Sequence, residues 1–464
     1  MDGTRQDRTF ADKMSDMFPD ERPNQRMEIG GTYAREITFQ VTEACNMRCT
    51  YCYQHNKTPN RMSFETAKKF IDMVLASDER TINYINSKES LACVLDFIGG
   101  EPLLEIDLID QIVDYFVMQT MLLNHRCATR YIINIDTNGL LYFDPKVQRF
   151  LQKHKGNVNL NITIDGCKEI HDMCRLDTFG QPTYDRCFAA SYDWARHQDS
   201  SYPHTKITLA PQNVEMTELA LKTCISNGYK IIHINCCYEE GWKLEHAKIL
   251  YQQLKNIVDY IVFDHQEYLS NTISIIDNPC GKEVAKEDYD RTTWCGGLGL
   301  MIALAPDGYI YPCIRYTPSS NPDNIKLVRI GHVDHGVVIT DEEKAVIEEM
   351  KKITYRSQFT GTTCENCKIA LGCGNCPAYG YEITGKLGYR TMFHCITHQA
   401  RVLATAYNKN MKFKYHGIGT PMELNIPKEW AIPIVGEDEY EMLKSLSDEV
   451  MKYGCNNPRT NCTT

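Results

Sequence analysis

Apolar and polar positions follow two rhythms from residue 35 to about residue 265. Short apolar or alternating runs at residues 36–42, 92–98, 130–136, 158–164, 205–209 and 230–236 predict six strands. Helical periodicity fills the gaps between them. It is clearest over 63–76, where Ser63 suits an N-cap and Phe64, Ala67, Phe70, Ile71, Val74 and Leu75 fall on one face. Further helices are predicted at 108–122, 145–154, 183–197, 214–227 and 245–269. Strict alternation of this kind means an α/β fold with parallel strands and right-handed crossovers. Six units are fewer than the eight of a closed barrel, so the expectation is a partial, open (β/α)6 barrel.

Beyond about residue 270 the rhythm dissolves into Gly, Pro, Asn and Asp with short apolar pieces, and most of the grouped cysteines stand there. The division expected is an N-terminal arm at 1–34, the partial barrel at 35–269, a cysteine-rich domain at 270–400 and a helical segment with a tail at 401–464. The cysteine-rich part reads as a domain held by metal rather than by a large core. The last segment carries one acidic amphipathic pattern through Tyr440, Leu443, Leu446 and Val450, then a polar end over 454–464 that is expected to be disordered.

Charge and thiols narrow the function. With 50 Lys and Arg against 60 Asp and Glu the 464-residue chain carries a net charge of -10, which phosphate backbones repel, so nucleic acid is not expected as a partner. The opening residues are charged and lack an apolar signal segment, and no later run is long and apolar enough for a membrane helix. A cytoplasmic setting with no membrane partner follows as the expectation. There, the 21 cysteines point to metal or reactivity rather than to disulfides.

The first cysteine group is Cys45-x3-Cys49-x2-Cys52, directly after the first predicted strand. Three thiolates on one short loop can hold three irons of a [4Fe-4S] cluster and leave the fourth open to a ligand. A structural zinc site completed by His55 is the alternative. Other polar motifs fall at the carboxyl ends of strands: Gly99-Gly100-Glu101-Pro102, Thr137-Asn138-Gly139 and Asp165-Gly166. Singly these are ordinary turn signals. Together they converge on the edge where parallel α/β folds bind ligands.

A second group runs Cys295, Cys313, then Cys364-x2-Cys367-x5-Cys373-x2-Cys376, then Cys395. Two close Cys-x2-Cys pairs indicate metal, with zinc and iron-sulfur both allowed by ligand type. The ten cysteines outside both groups and Cys280 (Cys93, Cys127, Cys167, Cys174, Cys187, Cys224, Cys236, Cys237, Cys455 and Cys462) read mostly as small apolar packing residues.

Cys45, Cys49, Tyr51 and Cys52 resemble the signature of the radical S-adenosylmethionine (radical SAM) superfamily. The resemblance implies S-adenosylmethionine on the open iron, with Gly99, Gly100, Glu101 and Pro102 at its methionine amine and Tyr51 near its adenine. Thr137, Asn138, Gly139, Thr163 and Arg175 would meet ribose or carboxylate. The later cysteines resemble the SPASM domain, which holds two auxiliary clusters, for three [4Fe-4S] clusters in all. One auxiliary cluster would take Cys295, Cys313 and Cys376 with Cys280. The other would take Cys364, Cys367, Cys373 and Cys395. Two departures stand out: two residues, not three, separate Cys373 from Cys376, and Cys280 lies farther from Cys295 than its counterpart in sulfatase maturases. Without Cys280 the first auxiliary cluster would have an iron open to a substrate thiolate.

Within that group the runs 40–53, 96–105, 165–175, 294–296 and 311–315 resemble peptide maturases of Cys-x3 repeat precursors, the thioether-forming ranthipeptide type. This implies joining a cysteine sulfur to a non-α carbon of a ribosomally made, Cys-rich precursor peptide (a RiPP). A reducing donor such as flavodoxin or ferredoxin would supply electrons, and a separate leader-binding protein is one route to peptide recognition. The rival enzyme reading is an anaerobic sulfatase maturase forming formylglycine. Those enzymes place an Asp base directly after the cysteine matching Cys313, where this chain has Ile314. The rival outside enzymology is a zinc-stabilised interaction module.

Overall fold

In the computed structural model, residues 35–76, 92–197, 203–239, 241–288, 297, 301–354 and 363–454 are described. Six strands follow chain order in space: β1 (Arg35–Thr42), β2 (Cys93–Gly99), β3 (Tyr131–Thr137), β4 (Val158–Ile162), β5 (His204–Leu209) and β6 (Ile231–Cys236). β1 to β4 pair in parallel, a single parallel bridge from Thr163 to Lys206 carries the curve across, and β5 pairs in parallel with β6. This is the mixed α/β partial barrel that the alternation implies.

Helices return the chain between strands. α1 (Phe64–Ala76) starts where the pattern places it, with Ser63 Oγ accepting from Thr66 N at 3.0 Å. It buries Ala67, Phe70, Ile71, Met73, Val74 and Leu75. Phe39 of β1 stacks on Phe97 of β2 at 5.4 Å between centroids and meets Phe70 of α1 edge-on at 5.5 Å, which locks strand to helix. The predicted helix over 245–269 is shorter: an α-helix over Leu244–Asp259 passes into a π-turn over Tyr260–Asp264. A helix over Lys168–Cys174 lacks a counterpart in the sequence reading, since one amphipathic stripe cannot be read over seven residues.

The cysteine-rich segment departs from expectation. β7 (Thr272–Ile273) pairs with β6. β8 (Met301–Leu304) pairs in parallel with β1, and β9 (Tyr309–Tyr311) turns back on β8, so the sheet extends past the barrel edge. Ile302, Leu304, Ile310, Tyr311 and Tyr316 join the same core as β1, β2 and α1. The helix Cys395–His416 lies across residue 400, where a boundary is expected, and its Val402, Leu403 and Ala406 share a second core with Leu250, Leu254 and Ile257 of the barrel helix Leu244–Asp259. The segment thus also shares the apolar cores of the barrel, through positions too scattered in sequence to register as a core. The acidic amphipathic pattern is the helix Glu437–Gly454, burying Leu443, Leu446 and Val450. The arm at 1–34, Cys295, and the tail with Cys455 and Cys462 lie outside the described residues.

Candidate functional site

β1 ends at Thr42 and releases the cysteine loop over the carboxyl mouth of the barrel. The neighbouring strand end clamps that loop: Gly100 N donates to Thr42 O at 3.0 Å and Glu101 N to Ala44 O at 2.9 Å. A Cβ on Gly99 would stand 2.2 Å from Thr42 O, and one on Gly100 2.1 Å from Ala44 O. Both glycines are thus required by the backbone approach itself. On its other side, the loop is held by Arg48 N donating to Leu176 O and Thr50 N to Cys174 O, each at 2.9 Å.

Glu101 organises the next strand end. Its carboxylate accepts from Thr137 Oγ1 at 2.6 Å, Asn138 N at 2.9 Å and Leu103 N at 3.0 Å, while burial pushes its carboxyl upward against these bonds. Asn138 Nδ2 reaches back to Asn46 Oδ1 on the cysteine loop at 2.7 Å. Buried Arg175 and Asp165 meet at half-buried Tyr51: Arg175 Nη1 donates to the Tyr51 hydroxyl at 3.0 Å, and that hydroxyl donates to Asp165. Burial raises the Asp165 carboxyl, with Arg175 opposing it.

These elements enclose a cavity of about 380 Å³ lined by Cys45, Cys49, Cys52, Tyr51, Gly99, Gly100, Glu101, Thr137, Asn138, Thr163 and Arg175. Two residues of the expected cofactor cradle stand behind its wall. Pro102, itself buried, opens a 3-10 turn over Pro102–Glu105, and Gly139, at φ +83°, packs against Ile162. Lys57 also lines the cavity and had no motif to mark it. Burial opposes its charge, yet the thiols of Cys52, Cys45 and Cys49 outweigh that and raise its ammonium. Burial pushes the Cys45 thiol up to about 11, with Lys57 pulling the other way.

The donor set fits a cluster better than a lone ion. Four thiolates around one zinc stand about 3.8 Å apart, from bonds of ~2.3 Å in a tetrahedron. Among the described residues, the trio of candidate ligand atoms lying within 4.8 Å of one another is Asp110, Asp114 and His154, not the three cysteines. His55, the fourth ligand of the zinc reading, turns to Glu382 with Nε2 at 3.1 Å. Arg175 Nε and Gln54 Nε2 are buried without a partner atom, and both residues line the cavity. They leave polar hydrogens for a polar cofactor.

In the later group, Cys364, Cys367, Cys373 and Cys395 stand close enough that the first three raise the Cys395 thiol, after burial, which takes it to about 12. Arg390 Nη2 lies 3.2 Å from Cys373 Sγ. Cys376 sits instead beside Arg315, and Cys313 lies within electrostatic reach of the Tyr53 hydroxyl. Cys280 is buried, and a Cβ on Gly372 would come 2.9 Å from its Cβ, next to the Cys373 loop.

A family described as a 4Fe-4S single cluster domain matches residues 30–174. An uncharacterized protein of Methanocaldococcus jannaschii is 34% identical over 32% of this chain, which spans 44% of that protein's length. The cysteine-type anaerobic sulfatase-maturating enzyme of Clostridium perfringens is 25% identical over 72% of this chain and 86% of its own. The solved structure of native anSMEcpe with bound AdoMet and Kp18Cys peptide has the same fold, with a TM-score of 0.57 at 17% identity, covering 83% of this chain and 100% of that one. No helix among the described residues is long and apolar enough to cross a membrane. The match to a 4Fe-4S family over residues 30–174 and the likeness to the sulfatase-maturating enzymes indicate an enzyme of the radical SAM, SPASM-domain maturase type that uses S-adenosylmethionine and [4Fe-4S] chemistry.

Proposed function

We propose that this enzyme installs thioether links in a ribosomally made Cys-repeat peptide, joining a cysteine sulfur to a non-α carbon. The observation that carries the reading is Ile314, which follows Cys313 and opens a 3-10 turn over Ile314–Tyr316 where a sulfatase maturase would hold its carboxylate base. When bound, S-adenosylmethionine on a reduced cluster supplies the carbon radical that removes one hydrogen atom from the peptide. Cys45, Cys49 and Cys52 would hold that cluster, and Gly99, Gly100, Glu101, Thr137, Asn138, Thr163 and Arg175 would seat the cofactor. The three bonds that fill Glu101 make it a positioning group. Glu239 is engaged by Arg315 at 3.0 Å, so neither carboxylate is free to take a proton. Peptide as the substrate class is supported by the neighbour with Kp18Cys peptide bound. For each link, one hydrogen atom leaves carbon, the thiol proton leaves sulfur, and one electron must leave the peptide, which an auxiliary iron-sulfur cluster held by the later cysteines would accept.

Formylglycine formation is the second reading, favoured by the name of the Clostridium relative and by Asp136, a cavity carboxylate that accepts no hydrogen bond among the described residues. Anaerobic incubation with S-adenosylmethionine, a strong reductant and a Cys-repeat precursor encoded nearby separates the two. A loss of two hydrogens per link with free thiols consumed supports the thioether. An aldehyde that forms a hydrazone overturns it.

A further inference from the structure

A second cavity, about 480 Å³, opens on the side of the barrel between β6, the short helix Ser274–Asp277 and the helix Cys395–His416. It shares Asp136, Lys206, Asn235, Cys236 and Tyr238 with the cofactor cavity, so the two adjoin across a common wall. Its polar wall is incomplete. His398 is 6% exposed; its Nε2 faces Ile369 O at 2.6 Å, while its Nδ1 is buried with no partner. A ring nitrogen that donates to a carbonyl leaves the other as a lone pair, so Nδ1 is an acceptor waiting for an N–H or O–H. Burial, which pushes the His398 imidazole down to about 3, keeps it in that neutral form. His394, 8% exposed, also has a buried Nε2 with no hydrogen-bond partner among the described residues.

The charges on this wall are equally unspent. Arg401 is fixed by two backbone carbonyls, Nε to Ile275 O at 3.0 Å and Nη1 to Gly372 O at 2.7 Å, and its Nη2 remains unbonded among the described residues. A guanidinium so anchored presents its outer N–H groups in a fixed plane, suited to a carboxylate. Lys206 projects from β5 and has no carboxylate within 4.0 Å among the described residues. Asp136 is the one acid on this wall, set against two permanent cations.

We propose that the second cavity binds an acidic side chain of the peptide substrate, its carboxylate between Arg401 and Lys206 and a neighbouring backbone N–H on His398 Nδ1. The pairing of anion and N–H donor selects a peptide over a free small acid. The assignment rests on the reading of the chain as a peptide-modifying enzyme, and it adds that the segment reaching the radical site carries Asp or Glu close to the reacting residue.

The test uses anaerobically reconstituted enzyme with S-adenosylmethionine bound and measures equilibrium binding by calorimetry. The probes are acetyl-Gly-Gly-Glu-Gly-Gly-amide, its Gln counterpart and glutarate. The Glu peptide is expected to bind at least about tenfold more tightly than the Gln peptide and than glutarate, a fully formed charge-assisted contact being worth that factor. Arg401→Gln and Lys206→Met are each expected to shrink the Glu-to-Gln difference to about twofold or less. Should Arg401→Gln fail to fold, Lys206→Met alone decides. Equal binding of the two peptides, or a difference that survives substitution, overturns the pocket. Glutarate binding as tightly as the Glu peptide overturns the peptide assignment. Release of 5′-deoxyadenosine by the same wild-type preparation is scored separately: discrimination lost while release continues sinks the pocket alone, and release absent while discrimination persists sinks the enzyme reading instead.

Discussion

Arg315 Nη2 lies 3.2 Å from Glu382 Oε2, and the same nitrogen lies 3.0 Å from Glu239 Oε1. Its guanidinium also lies over the ring of Tyr53 at 4.9 Å and over that of Tyr379 at 5.3 Å. One cation thereby joins the cysteine loop through Tyr53, the barrel mouth through Glu239, and the cysteine-rich segment through Glu382 and Tyr379. It does so beside Cys313 in sequence and Cys376 in space.

Removing that cation is expected to be expensive. Arg315→Met leaves Glu382, whose side chain is 8% exposed, as a buried charge whose remaining partner is His55 at 3.1 Å. Breaking one side of such a pair costs about 3 kcal/mol. The urea midpoint should fall accordingly. Arg315→Lys should recover only part of the loss, because an ammonium cannot serve two carboxylates and two ring faces at once. A variant as stable as the parent would mean that the network is ornamental.

Gly100→Ala tests the clamp on the cysteine loop. The new methyl would meet Ala44 O at 2.1 Å, and a carbonyl in the loop backbone cannot swing aside as a side-chain tip can. Overpacking of this kind costs about 2 kcal/mol. The expected result is a lower thermal midpoint together with lost iron on anaerobic reconstitution, because Ala44 adjoins Cys45. Gly419→Ala is a control with open space around it: its φ of +79° strains alanine, but it stands far from the loop in sequence and should leave iron content unchanged.

Iron content also separates the cluster from the zinc alternative. Cys49→Ala should lower iron by about four atoms per chain, the content of one cubane cluster. His55→Ala should leave iron unchanged, since that ring is engaged with Glu382. Equal iron losses from both substitutions would restore His55 as a ligand.

The barrel was legible because the strands are short apolar or alternating runs, with Gly or Asn directly after β2 and β3, and the helices between them keep a buried stripe; β2 to β6 begin within a residue of where the pattern places them. The mouth was legible because motifs at strand ends must share an edge in a parallel sheet. What escaped is contact across distance. The clamp between Gly100 and Thr42 joins segments 58 positions apart, and nothing local marks Lys57 as more than a surface cation or shows what Arg315 pairs with. The second cavity is hidden for the same reason: β5, β6 and the helix Cys395–His416 each contribute isolated polar residues that acquire meaning only side by side. The seam of the cysteine-rich segment against β1 depends on four residues of β8, too short a run to stand out.

The barrel interior carries a pH signature of its own. Glu36 of β1 is half-buried near Asp136, and desolvation first, then that repulsion, raises its carboxyl from 4.5 to about 7 against the pull of Thr38. Asp96, fully enclosed beside Glu36, is raised in the same direction. A folded chain that keeps a proton its unfolded form has released is favoured while that proton is available. The contribution from Glu36 is therefore complete below about pH 4.5 and is lost as pH rises through about 7. Within that window one such proton changes stability by up to about 1.4 kcal/mol per pH unit. Urea midpoints compared at pH 5.5 and pH 8, two points ~2.5 units apart chosen to straddle the window, should fall for the parent chain and fall less for Glu36→Gln, whose amide cannot ionise. If the substituted chain declines as steeply as the parent, Glu36 is already ionised in the fold, and the lumen that adjoins the cofactor cavity holds one more negative charge than its burial implies.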